Sequence, residues 1–206
     1  MALQAQRDRR AMALPNGYTD LVVLYEEGLV FVEAKGESIT EIVAYIQSRV
    51  TFPLKVCIPV GTYFVKSGNY QNMVTRAEYK FELPPTPTVY ISLKATCINA
   101  TLPIPTSSDK FRGVARVSEP LSRFLRESAR EDDMTIQAGV WAITDGYTRS
   151  QVQSGLRKHK RWPLFERPSG IPQLDRILSD DGPAISDLQI DRAKVLLDKL
   201  RIGNFL

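Results

Sequence analysis

The sequence predicts an α+β protein: an N-terminal antiparallel β-sandwich of roughly six to seven strands, then a cluster of short α-helices sharing its core. Three observations predict it. Nine of the thirteen prolines fall between Pro15 and Pro120, in a stretch rich in Val, Ile, Thr, Tyr and Phe. Such composition, broken by turn residues, makes short strands. Within that stretch apolar residues recur at every second position, and after Pro120 the period changes to 3.6. Three segments follow: a mobile, polar tail over 1–15, a sandwich half over 16–117 and a helical half over 118–206.

The elements follow in order. Leu21–Tyr25 and Leu29–Glu33 flank Glu26-Glu27-Gly28 and read as a hairpin. Residues 39–50 are ambiguous: Ile39, Ile42, Val43, Ile46 and Val50 fit a helix, and Ile42, Ala44 and Ile46 fit a strand. Leu54–Pro59 is a strand bounded by prolines. Glu78–Leu83 alternates Tyr79, Phe81 and Leu83 with charged residues, and Val89–Ala95 alternates Val89, Ile91, Leu93 and Ala95 with polar ones. Both are half-buried strands. Asn69 to Met73 reads as a polar loop on which a binding module would present its contacts. Ser118 and Pro120 start a first helix carrying Leu121, Phe124 and Leu125. Ile136, Val140 and Ile143 make a second, ending near Thr144-Asp145-Gly146. Thr148 caps a third with Val152 and Leu156, Pro172 to Leu178 suggests a fourth, and Leu188 to Leu200 is the longest, with Gly203 as its stop. Phe111, Leu121, Phe124, Ile136, Val140 and Trp141 are expected to face the sheet.

Composition narrows the function. The 206 residues carry 27 Lys+Arg against 23 Asp+Glu, a net charge of +4 that permits an acidic partner without requiring one. No apolar run approaches the ~20 residues of a membrane span. Met1 to Arg10 has no apolar core of signal-peptide length, so a cytoplasmic location is the default expectation. Two cysteines, Cys57 and Cys97, exclude a disulfide scaffold, and Cys57 reads as a packing residue. The lone His159, set between Arg157-Lys158 and Lys160-Arg161, is poorly suited to a triad or a zinc site. Phosphate-loop and dinucleotide motifs are absent from the sequence. Neither a cofactor nor a metal is expected.

Three constellations could carry chemistry. Asp20 with Glu33-Ala34-Lys35 could hold a divalent metal and a charge-stabilising lysine, and resembles the pattern of PD-(D/E)xK nucleases. The basic run Arg157 to Arg161, followed by Trp162, would suit a nucleic-acid strand. The sharpest is Cys97, at a strand end, with Gln137 and Trp141 at i, i+4 on one helix face. Attack of a cysteine thiolate on a glutamine amide, with loss of ammonia, gives an internal thioester. A lysine amine or a hydroxyl then opens it, leaving a covalent bond to Gln137 and a free Cys97. Trp141 and Tyr147 would keep water away.

Cys97-Ile98, and Ile136-Gln137-Ala138-Gly139-Val140-Trp141 with the following Thr144-Asp145-Gly146, resemble the Cys and Gln motifs of the thioester domains of Gram-positive surface adhesins. The resemblance covers Val89 to Gly146, with Thr96 standing where an aromatic residue or Leu is usual. It implies that Cys97 and Gln137 are the paired residues and that the chain captures a partner amine or hydroxyl once, without turnover. A wider resemblance, through Ile58-Pro59-Val60-Gly61-Thr62, Gln71-Asn72-Met73 and the last helix, is to uncharacterised bacterial domains. It implies an immunoglobulin-like sandwich in which residues 39–50 are a strand. The competing expectation is a non-catalytic protein-interaction module on the same scaffold.

Overall fold

A computed structural model describes residues 2–14, 17–158 and 185–203, the side chains of 155–158 excepted. The α+β class holds: two short helices lie among the first residues, eight strands run from Val30 to Arg116, and the remaining described helices follow. The strands are β1 (Thr19–Asp20), β2 (Val30–Ser38), β3 (Glu41–Ser48), β4 (Leu54–Ile58), β5 (Thr62–Lys66), β6 (Asn72–Thr75), β7 (Tyr79–Leu83), β8 (Val89–Ile98) and β9 (Lys110–Arg116). The helices are α1 (Ala2–Met12), α2 (Leu21–Glu26), α3 (Glu119–Glu127), α4 (Asp133–Asp145), α5 (Arg149–Lys158) and α6 (Asp187–Leu200).

The strands do not form the expected immunoglobulin-like sandwich. Six of them close into an antiparallel barrel in the order β2-β3-β8-β6-β5-β9, and β1, β4 and β7 make a separate three-stranded sheet. Closure comes from β9, which pairs with β2 through Arg112 and Phe111 and with β5 through Arg116, Ala115 and Val114. A strand must bend to serve two partners. Phe111 pairs with both Ala34 and Lys66, Gly113 adopts φ +94° within the β5 pairing, and register shifts fall at Gly36/Ser38 and Phe64/Lys66. Bulges and glycine kinks of this kind turn sheet corners, and alternation alone cannot reveal them.

The barrel interior follows the period of two. Val30, Val32 and Ala34, then Ile42, Ala44 and Ile46, then Leu93, Ala95 and Cys97 share one buried cluster with Phe64, Met73 and Phe111. Three central alanines leave room for Phe64, Phe111 and Met73 in a narrow interior. The ambiguous 39–50 segment is therefore a strand: its β-branched residues fit a pleated surface with one buried face.

The helices cover the outside of β6 and β8. Val74 and Ile98, whose side chains leave the barrel, pack against Leu121, Phe124, Leu125, Ile136 and Val140. A third cluster joins Trp141 and Ala138 to Ala100, Val152, Ile190 and Ala193. The single shared core is thus three clusters, with Phe111 inside the barrel and Trp141 among the helices. Two local expectations also change. Leu21–Glu26 is a helix and not a hairpin strand, because the Asp20 carboxylate accepts from the Val22 N–H at 2.8 Å and caps it. Residues 2–12 of the expected tail form α1, tied down by Gln4 Nε2 to the Arg49 carbonyl (2.7 Å) and by Asp8 to Thr51 (3.0 and 3.1 Å). Gly146 is the left-handed cap of α4, as its sequence position suggests, but α6 ends at Arg201 (φ +55°), two residues before Gly203. The expected fourth helix near Pro172 to Leu178 lies outside the described residues.

Candidate functional site

The site forms where β3 ends before β8 does. Pairing of β3 with β8 stops at Glu41↔Lys94, and beyond the Ala95 N–H to Thr40 carbonyl bond (2.9 Å) β8 has β6 on one side and no strand on the other. The backbone N–H and C=O of Cys97 would be left unpaired at this edge, a cost the fold must meet. Gln137 meets it. Its Oε1 accepts from the Cys97 N–H at 3.0 Å, and its Nε2 donates to the Cys97 carbonyl at 2.7 Å. The carboxamide thus stands where the peptide of a neighbouring strand would stand. Its Oε1 also accepts from the Thr96 hydroxyl at 2.6 Å. The pair is sealed from water: Cys97 is 0% and Gln137 1% exposed.

Helix α4 aims the carboxamide. Its N-cap Asp132 accepts from the Met134 and Thr135 amides (3.1 and 3.0 Å) and from the Thr135 hydroxyl (2.6 Å), fixing where the helix starts. Gly139 lets α4 approach α3, since a Cβ there would lie 2.0 Å from Phe124 Cζ. One turn after Gln137, Trp141 is fully buried and its Nε1 donates to Gln71 Oε1 at 3.3 Å. Gln71 in turn donates to the Leu102 carbonyl at 2.8 Å. Tyr147 flanks Trp141, ring centroids 6.3 Å apart. At the far end of α4, Asp145 Oδ1 accepts from the Ala100 N–H at 3.0 Å. Strand end and helix are therefore bound at both ends.

The sulfur itself faces the barrel interior, 3.2 Å from Met73 Sδ and 3.8 Å from the Ile39 carbonyl. Burial pushes its thiol well above the ordinary cysteine range, so the free thiol is held protonated. Chemically, the arrangement offers an amide carbonyl whose oxygen carries two donors, Thr96 Oγ1–H and Cys97 N–H. Donors so placed stabilise the oxyanion of a tetrahedral adduct at that carbon.

The structure brings the Gln137 side chain onto the Cys97 backbone, with Trp141 buried one turn along α4 in the separate helical cluster. Thr96 bonds Gln137 and Gln71 bonds Trp141, and neither was legible as a member beforehand. Thr96 is signalled only by parity: next to an inward-facing cysteine, its side chain faces out toward the helix layer.

Asp20, Glu33 and Lys35 are not brought together. Asp20 caps α2 and pairs with Arg116 (2.8 Å), whereas Glu33 lies on the barrel between Lys110 (3.2 Å) and Arg112 (3.6 Å). Their partner arginines stand four residues apart on β9, about 13 Å at ~3.3 Å per residue, too far for one metal to hold both carboxylates. Lys35 sits over the Tyr45 ring. Among the described residues no group of three or more His, Cys, Asp or Glu could hold a metal ion. The polar loop at Asn69 to Met73 is corrected too: Tyr70, Gln71, Asn72 and Met73 are buried and β6 begins at Asn72, because Asn72 bonds Asn99 Oδ1 (2.5 Å) and the Lys66 N–H (2.7 Å). Cys57 is half-buried, its thiol 3.7 Å from Glu78 and raised by burial and by that carboxylate. His159, Lys160, Arg161 and Trp162 lie outside the described residues, as do the side chains of Arg157 and Lys158.

No described helix is long and apolar enough to cross a membrane. No family model, curated protein or solved structure matches the chain.

Proposed function

We propose that the chain is a covalent-capture domain whose Cys97 and Gln137 form an internal thioester that acylates a partner amine or hydroxyl. The observation that carries this reading is the seat of the Gln137 carboxamide on Cys97, with two donors on its carbonyl oxygen. In the forming step the sulfur adds to the amide carbon, the oxyanion rests on Thr96 and the Cys97 N–H, and the C–N bond breaks. The thiol proton leaves with the nitrogen as ammonia. The step requires the sulfur, which faces Met73, to turn toward the strand edge. In the capture step a lysine amine attacks the same carbon, forming an amide to Gln137 and returning the thiol. The burial of both residues keeps water from competing, and the partner amine reaches the carbon only when α4 moves off the β8 edge.

A second reading is favoured by the sulfur's direction. With Cys97 facing Met73, the Gln137 bonds are complete without chemistry, and the pair then serves as a clasp between barrel and helices in a non-catalytic interaction module. Intact mass of freshly purified, unreduced protein separates the two. A thioester lowers the mass by about 17 Da, and methylamine then adds about 31 Da at Gln137. A mass equal to the sequence value, unchanged by methylamine, overturns the capture reading and leaves the clasp.

A further inference from the structure

Away from the Cys97 edge, the outer face of β2, β3 and β8 carries an arrangement that packing does not explain. Register sets Glu33 opposite Tyr45 and Tyr45 opposite Tyr90, so two tyrosines stand side by side on adjacent strands, ring centroids 5.0 Å apart and edge-to-face. Phe31, two residues before Glu33, is a third outward ring. Phe31 is 41% and Tyr90 67% exposed, a large apolar area to leave in water.

Cations surround these rings. Lys35 Nζ lies 5.7 Å from the Tyr45 centroid, and the Arg49 guanidinium 5.8 Å from that of Phe31. Lys94 is exposed one row along β8 from Ser92, and Lys110 and Arg112 continue the face onto β9. Three carboxylates share it, Glu33, Glu41 and the exposed Glu37 at the end of β2, against five cations, Lys35, Arg49, Lys94, Lys110 and Arg112. Glu33 is engaged by Lys110 and Arg112, and Glu41 by the Ser92 hydroxyl. The face is basic overall, and Lys35, Arg49 and Lys94 make no ion pair with a described residue.

We propose that this face binds single-stranded nucleic acid, with Phe31, Tyr45 and Tyr90 as stacking platforms and the surrounding lysines and arginines on the phosphates. Exposed rings on a sheet stack unpaired bases of any sequence, and the flanking cations track the backbone. Duplex bases are already stacked inside the helix, so a duplex would use the charges alone. An acidic protein would likewise use the charges and leave the rings exposed. This inference does not rest on the thioester.

The test is fluorescence anisotropy of the full chain with a labelled 15-nucleotide single strand of mixed sequence, in low salt and then with rising salt. Binding is expected to be tighter than to the duplex of the same sequence and to fall steeply with salt. Tyr90→Ala and Phe31→Ala are each expected to weaken it about five-fold or more, and Lys35→Gln to flatten its salt dependence, with Arg192→Gln on α6 unchanged. Tyr90 and Phe31 are exposed, and circular dichroism of each variant checks the fold. Three results overturn the proposal: no binding in low salt, equal affinity for duplex and single strand, or affinity for a sulfated polysaccharide equal to that for the strand with Tyr90→Ala neutral.

Discussion

Gln137 is one side chain doing the work of a strand. Its carboxamide matches the donor and acceptor of the Cys97 peptide and adds the Thr96 hydroxyl. Gln137→Ala is expected to leave three buried polar groups unpaired and to cost about 2–4 kcal/mol in urea unfolding. Thr96→Val keeps the shape and removes one donor from the carbonyl oxygen. Under the capture reading it slows the 17 Da mass loss by about 100-fold in a refolding time course, on the scale of a lost oxyanion donor. The thiol also fixes a pH dependence for the unreacted protein. Burial raises its folded pKa above the unfolded value of about 8.5, so the unfolded chain loses the proton first. Stability is then full below about pH 8.5 and falls above it, by up to ~1.4 kcal/mol per pH unit, and Cys97→Ala removes that contribution to the slope. A thioester has no thiol to ionise, so the thiol slope is itself a readout of the bond.

Among the elements, α4 is the most constrained. It is bonded to β8 at Gln137, to Ala100 at Asp145, and to α6 through Asp132, which also accepts from Gln189 Nε2 at 2.8 Å. Burial raises the Asp132 pKa, and the bonds from Thr135, Gln189 and Met134 lower it by more. Its stabilising effect is present above the ordinary Asp range and lost as pH falls through the lowered folded value. The closest approach is Gly139 to the Phe124 ring. Gly139→Ala is expected to cost about 3 kcal/mol in thermal unfolding despite the better helix propensity of alanine, because the Phe124 ring it would strike is fully buried in the helical cluster. These elements show what was legible. Alternation at Tyr79–Leu83 and Val89–Ala95, and the 3.6 period after Pro120, located strands and helices to within a few residues. Leu21–Glu26 was misread because its apolar run fits either state, and one capping carboxylate decided it.

At the scale of the molecule, barrel and helices depend on one another. Removing the helical half would expose Val74 and Ile98 and strip the β8 edge of Gln137. A truncated chain of residues 1–117 is therefore expected to show no cooperative unfolding transition, whereas the full chain unfolds in one step.

By itself the sequence determined the α+β class and the change from strands to helices near Pro120, and it singled out Cys97, Gln137 and Trp141 as a candidate site. Those features are local: periodicity, caps and motif spacing are written along the chain. Only the tertiary structure decided that the sheet closes into a barrel, that Asn69 to Met73 is largely buried, and that Asp20 and Glu33 bind different arginines. Closure depends on which two strands β9 joins, and a carboxylate's partner on residues up to 96 positions away. Such long-range pairings are chosen by packing and by the need to satisfy every buried backbone group, which no window of sequence contains.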